Sequence, residues 1–250
     1  MTKPALLIDS PVAHVRTVRI NRPESRNSLD TEVREKLTEC FTTLNADPDV
    51  RCIVMAGDAR AFAAGSDIKE RVTMDVMKKM ESDDVKGRLM HAIMHCAKPV
   101  VAAVRGYCLG GGFEIAMMCD IIIAGESAKF GLPEVKIGVI PGSGGTQHLA
   151  RITGKHRALY YILTGRFFSA QQALEMGVAS EVVPDDTVEA KAMELATEIA
   201  ALPPLALQQA KDVLLRGLDA PIEVGIGMEA RASQLLYASE DQKEGMKAFI

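Results

Sequence analysis

The chain has 250 residues, 48% hydrophobic and 25% charged, the balance of a soluble globular protein built around one main domain. Its net charge of -4 argues against nucleic acid as a partner, because phosphate binding calls for a surplus of Lys and Arg. No apolar run approaches the ~18 residues of a membrane span, and the opening MTKPALLIDS lacks the basic start and long apolar stretch of an export signal, so a cytoplasmic protein with no membrane partner is expected.

In chain order, ALLID and VAHVRTVRI are rich in β-branched residues and predict strands, followed by the polar turn NRPESRNS. From Asp30, Val33, Leu37, Cys40, Phe41 and Leu44 recur at helical spacing until NADPD closes the helix. VRCIVMAG predicts a buried strand, and the small-residue loop AFAAGSDIKE leads into a helix at Asp67. A polar region rich in Met and Lys comes next, and a stripe of Val85, Leu89, Ile93 and Cys96 then stops before Pro99. PVVAAVRGY and CDIIIAG predict two more strands, on either side of a glycine turn and a helix. Further on, Ser169 and Gln172 form a capping-box pattern, VASEVVP predicts a short strand, and from Asp185 the chain reads as helical. This alternation predicts an α/β fold with largely parallel crossovers, in which ligands sit at strand ends.

Several motifs are excluded. In GGGFEI and GSGGTQ, Ile115 and Gln147 occupy the place of the last glycine of a dinucleotide fingerprint, and no Lys follows in P-loop register. Pro141 stands where a nucleophile elbow around Ser143 needs its leading glycine. His91 and His95 share a helical face but have no evident third ligand, so no metal is expected. The five cysteines contain no C-x-x-C pair and sit among apolar neighbours, which predicts buried, reduced thiols.

LGGGFE survives this filter. A strand that ends in a glycine turn and opens a helix presents free N–H groups at a positive dipole end. With no side chains at Gly110, Gly111 and Gly112, a flat substrate can lie against that backbone, and a carbonyl oxygen acquiring negative charge is the natural guest. The loop AFAAGSDIKE is the candidate for a second donor. Glu114 falls in the first helical turn, yet a capping box would need Ser or Thr where Gly111 stands. Glu134 lies in an apolar, glycine-rich loop, a setting for a raised pKa and acid–base work.

Taken together, NRPESRNSL, AFAAGSDIKE, KPVVAAVRGYCLGGGFEIAMMCDIIIAGESAKFGLPE, IPGSGGTQHL, LTGRFFSAQQALEMGVASEVV and EDQKEGMKAF resemble the enoyl-CoA hydratase (crotonase) family, in order and over nearly the whole chain. The resemblance implies a crotonase-like spiral of β-β-α repeats over residues 1–202, carrying the CoA and catalytic sites. It also implies a helical C-terminal region over 203–250 that builds homotrimers, often paired into hexamers. The implied activity is syn addition of water to a 2-enoyl-CoA, with Δ3-Δ2 enoyl-CoA isomerisation as the alternative. Coenzyme A would be part of the substrate, with no separate cofactor. The N–H groups of Ser66 and Gly111 would hold the thioester oxygen, Glu114 would activate water and Glu134 would protonate the α-carbon. Gly110, Ala63, Ala64, Asp67 and Ile68 would line the CoA path, and Arg26 would contact a phosphate. Met74, Met77 and Met80 are expected to form or flank the acyl pocket. Two departures from the family pattern are His148 after GGTQ, where Arg is common, and the stop at KAFI, where many relatives continue with a basic tail; if the full protein ends at Ile250, fewer CoA phosphate contacts are expected.

Overall fold

The computed structural model describes residues 3–250. The strands are β1 (Leu6–Val12), β2 (Val15–Ile20), β3 (Cys52–Ala56), β4 (Ala61–Ala63), β5 (Val100–Val104), β6 (Tyr107–Leu109), β7 (Ile121–Gly125), β8 (Lys129–Gly131), β9 (Phe168–Ser169) and β10 (Glu181–Val183). They form two sheets, one in the order β1-β2-β3-β5-β7-β10 and a smaller one in the order β4-β6-β8-β9. Strands β2, β3, β5, β7 and β10 run parallel, as do β4, β6 and β8, while β1 and β9 pair antiparallel at the ends. Each pass of the chain thus lays one strand in the large sheet and the next in the small one. It then turns into a helix, which is one coil of a spiral.

Helices α1 (Thr31–Ala46), α2 (Ile68–Arg71), α3 (Val76–Met94), α4 (Gly111–Met118), α5 (Gly145–Thr153), α6 (Lys155–Thr164) and α7 (Ala170–Glu175) fill the connections. Helix α8 (Val188–Ala201) then returns across the large sheet. Both faces of that sheet are covered, which is why VRCIVMAG is apolar throughout rather than alternating. Ile53 and Met55 of β3 face the larger core with Phe41 and Ile93, whereas Cys52, Val54 and Ala56 face α8. Ala192, Ala196 and Ala200 make up a flat stripe on α8 that lets the helix approach the strands closely. All five cysteines are buried, and burial pushes each thiol's pKa up.

Two boundaries differ from those expected. The turn of the first hairpin falls at Ala13 and His14, with His14 at φ 64°, so Val12 closes β1 instead of opening the second strand. The segment PVVAAVRGY is two strands, because the chain leaves the large sheet after Val104 and enters the small one at Tyr107. Helices α9 (Pro204–Gly217), α10 (Ile222–Leu236) and α11 (Glu240–Phe249) follow and leave Leu214, Leu218, Ile222 and Leu235 exposed. No described helix is long and apolar enough to cross a membrane.

Candidate active site

The spiral decides where the site lies. Parallel strands β4, β6 and β8 end at one edge of the small sheet, and the residues just past those ends come from three successive turns: Ser66, Gly110 to Gly111, and Glu134. Residues far apart in sequence therefore converge at the carboxyl ends of strands, the usual ligand position in such sheets.

The loop after β4 is held like an extra strand against the turn that precedes α1. Leu29 donates to the Gly65 carbonyl at 2.8 Å and accepts from the Asp67 N–H at 3.0 Å, while Ala64 donates to the Arg26 carbonyl at 3.0 Å. This parallel bridge between Leu29 and Ser66 turns the Ser66 N–H away from Leu29. Asn27, fully buried at φ 56°, fastens the turn by donating to the Ala61 carbonyl at 2.8 Å and accepting from the Arg22 N–H at 2.9 Å. Arg22 bridges Asp30 at 2.9 Å and Asp67 at 3.2 Å.

Glycine is needed at the start of α4 for two different reasons. Gly110 adopts φ 50°, and a Cβ there would stand 2.9 Å from Glu134 Oε1. At Gly112 a Cβ would lie 2.2 Å from the Ala63 carbonyl oxygen, so only hydrogen allows the helix to start against β4. Gly111 opens the helix, and its N–H has no acceptor in the preceding turn. The Ser66 hydroxyl comes within 3.6 Å of where a Gly111 Cβ would stand, which brings the two candidate donors side by side.

Glu114 is buried, and Oε1 accepts from the N–H groups of Ser143 at 2.7 Å and Gly145 at 2.9 Å. Its other oxygen faces Gly111. Glu134 has a buried Oε2 with no hydrogen-bond partner among the described residues. Burial above all, and the nearby charge of Glu114, push the Glu134 carboxyl up to about 7 against the opposing pull of its own N–H, Arg71 and Lys86. Phe113, Phe130 and Phe168 pack with centroids 5.5 to 5.7 Å apart, so the residues beside both glutamates share one aromatic cluster.

The structure therefore brings Ser66, Gly110, Gly111, Glu114 and Glu134 together. The remaining expected residues sit around them in different ways. Arg26 is exposed at φ 53° with its guanidinium over the Tyr107 ring, 5.5 Å from the centroid. Ala64 is partly buried at the loop, and Ile68 is exposed at the start of α2. Ala63 is wholly buried under α4, and the Asp67 side chain is engaged with Arg22, Ser28 and the Lys69 N–H, so each has only backbone to offer. Met77 and Met80 point outward, 67% and 61% exposed, and Met74 is partly buried, while Met90 and Met118 line a cavity behind Gly111. His148 is half-buried without an ion pair among the described residues, while Arg151 pairs with Asp219 at 3.3 Å. Sequence reasoning missed Asn27, Arg22 and Arg34, whose guanidinium donates to Ser66 Oγ at 3.0 Å. An asparagine in the polar turn NRPESRNS, a residue type that tolerates the left-handed region, was the signal for the first.

Two sheets threaded by a spiral, with a glycine turn and two carboxylates at the strand ends, define the crotonase class of fold. Comparison with known proteins agrees. A family model described as enoyl-CoA hydratase/isomerase matches residues 12–250. A Rhizobium meliloti protein named as a probable enoyl-CoA hydratase is 42% identical over all of this chain and 96% of its own length. The Escherichia coli 2,3-dehydroadipyl-CoA hydratase is 38% identical over 98% of this chain and 95% of its own. The crystal structure of an enoyl-CoA hydratase from Bacillus anthracis superposes with a TM-score of 0.96 at 36% identity, covering 98% of this chain and 96% of that one. The chain belongs to the enoyl-CoA hydratase/isomerase family.

Proposed function

We propose that this enzyme adds water syn across the double bond of a 2-trans-enoyl-CoA to give a 3-hydroxyacyl-CoA. The observation that carries the reading is the pair of unlike carboxylates beside the N–H groups of Ser66 and Gly111. Glu114 is tethered through one oxygen, and Glu134 is poised to keep a proton near neutral pH. As the water oxygen bonds to the β-carbon, the π electrons move toward the thioester and the carbonyl oxygen becomes an enolate oxygen. The two N–H groups stabilise that charge, each by an amount on the order of 3 kcal/mol. Glu114 takes a proton from the water, and Glu134 gives one to the α-carbon. Return of a proton from Glu114 to Glu134 then restores both groups.

In this reading Ala63, Ala64, Gly110, Asp67 and Ile68 give the CoA moiety a path along the loop after β4, with Arg26 at a phosphate. The exposed leucines and isoleucines of α9, α10 and the turn between them suit a homotrimer, which can pair as a hexamer.

The test follows heavy oxygen from water into product, using a short 2-enoyl-CoA with wild type and the Glu114→Gln and Glu134→Gln variants. Wild type is expected to incorporate label rapidly. Each variant should lose ~10²- to 10⁴-fold in rate while still binding the thioester. Isomerisation of a 3-enoyl-CoA without label uptake into a 2-enoyl-CoA, with one Gln variant still active, would overturn the assignment in favour of an isomerase.

A further inference from the structure

Behind Ser66 and Gly111 lies a cavity of about 20 Å³, room for about one water molecule. Leu89, Ile115 and Met118 are part of its wall, as an acyl pocket requires, but so are two cations, Arg34 and Lys86. Both are buried, at 3% and 6% exposure. A buried cation is costly unless its donors and charge are matched, and here the match is incomplete. Among the described residues Arg34 has only Ser66 Oγ as a side-chain hydrogen-bond acceptor, at 3.0 Å, and the Glu70 carboxylate stands off at 3.7 Å. The other Glu70 oxygen is taken by the Thr31 hydroxyl at 2.6 Å. Lys86 donates to Asp83 at 3.0 Å, but Asp83 is shared with Lys79. Arg71 adds a third positive charge that opposes both, and its Nε is buried without a partner among the described residues. Burial chiefly, and Arg71 next, push Arg34 down to about 10 and Lys86 below the usual amine range. Arg34, at about 10, remains a cation at neutral pH.

An alkyl chain entering this space would leave those donors unmatched, whereas a carboxylate would satisfy them. Resting on the hydratase reading, we infer that the acyl group ends in a carboxylate, so that the substrate class is the CoA monothioester of a short unsaturated dicarboxylic acid, its distal charge held by Lys86 and Arg34. Met90 and Met118, unbranched and adaptable, form part of the same wall, and entry of the acyl chain requires them to change rotamer. The same cations also lie close enough to influence the catalytic loops. Lys86 Nζ is 3.9 Å from the position of a Gly142 Cβ, beside the segment that holds Glu114.

The test has a binding arm that needs no turnover. Calorimetric titration of the whole protein with CoA thioesters of two saturated six-carbon acids, one ending in methyl and one in carboxylate, is expected to favour the carboxylate by about tenfold to a hundredfold, the range for a charge-assisted hydrogen bond. Lys86→Met should erase most of that preference. The matching 2-enoyl thioesters should show the same ratio in kcat/KM. Equal binding of the two acids by wild type, or preference for the methyl end, would overturn the proposal, and this comparison decides even if Lys86→Met fails to fold. So would a variant that weakens both thioesters alike, or that moves only the pH midpoint of turnover. If carboxylate preference persists while no 2-enoyl-CoA takes up water, the hydratase reading fails and the pocket assignment stands. Hydration without carboxylate preference would instead overturn the pocket assignment and leave the hydratase reading in place.

Discussion

Replacing Glu134 by Gln should make the protein more stable at alkaline pH while disabling it. Burial holds the Glu134 carboxyl at about 7, against ~4.3 for an unperturbed glutamate. Between those values the folded chain keeps a proton that the unfolded chain has released. The contribution of this group to stability is therefore full below about pH 4 and is lost as pH rises through about 7. Each tenfold change in ionisation is worth about 1.4 kcal/mol. The side chain is partly exposed and screened by water, so we set the loss at about 2 kcal/mol rather than the unscreened value. Glutamine stays neutral throughout. Wild type and Glu134→Gln should melt together near about pH 4, where the group is protonated in both states, and separate by roughly 4–8 °C near about pH 8, with the variant higher. Scanning calorimetry at the two pH values makes the comparison. In parallel, wild-type kcat/KM for hydration, followed by loss of enoyl-thioester absorbance, should fall about tenfold per pH unit above the Glu134 midpoint, because the proton donor is lost. A separation of melting temperatures that is the same at both pH values, together with a flat rate profile across neutrality, would refute this account of Glu134.

Two further outcomes follow from the packing. Gly112→Ala places a methyl group 2.2 Å from the Ala63 carbonyl oxygen and 2.6 Å from its Cβ, so backbone must move; urea denaturation should show a loss of about 3 kcal/mol or more, with binding and rate damaged together. Sedimentation at micromolar concentration should find a trimer or hexamer, with Leu218→Glu shifting it toward smaller species because Leu218 is 74% exposed in the single chain; a wild-type monomer would exclude the proposed assembly.

Most of the large sheet was legible because β1, β2, β3, β5 and β7 are five to seven residues of β-branched and apolar character between clear stops. The small sheet was not. Strands β4, β6 and β8 are three residues each, too short to show a period, and AFAAG reads as a loop by composition. The glycine run and both glutamates were found because each breaks a local expectation: Glu114 lacks a capping partner, and Glu134 stands among apolar neighbours. Helix α3 shows the limit of reading by residue type. The expected stripe ran through Val85, Leu89, Ile93 and Cys96, yet the buried positions on α3 are Ser82, Lys86, Leu89 and Ile93, with Val85 only partly covered. Spacing identified the face, but it could not show that a lysine occupies it, because the pattern scores lysine as a solvent residue.

The first turn of α4 performs two tasks that a sequence reading treats as rivals. An acidic side chain there ordinarily folds back to cap its own helix, which would consume the N–H groups that the oxyanion needs. Here Glu114 is drawn instead toward the next coil of the spiral, where the N–H groups of Ser143 and Gly145 hold Oε1. The Gly111 N–H is thereby left open, and Oε2 is directed to the same side. In the proposed hydration one short helix supplies both the electrophilic and the basic group, and the relation between them is set by the loop before α5 rather than by α4 itself. Variation in that loop should consequently alter the placement of the base while leaving the Ser66 and Gly111 donors in position.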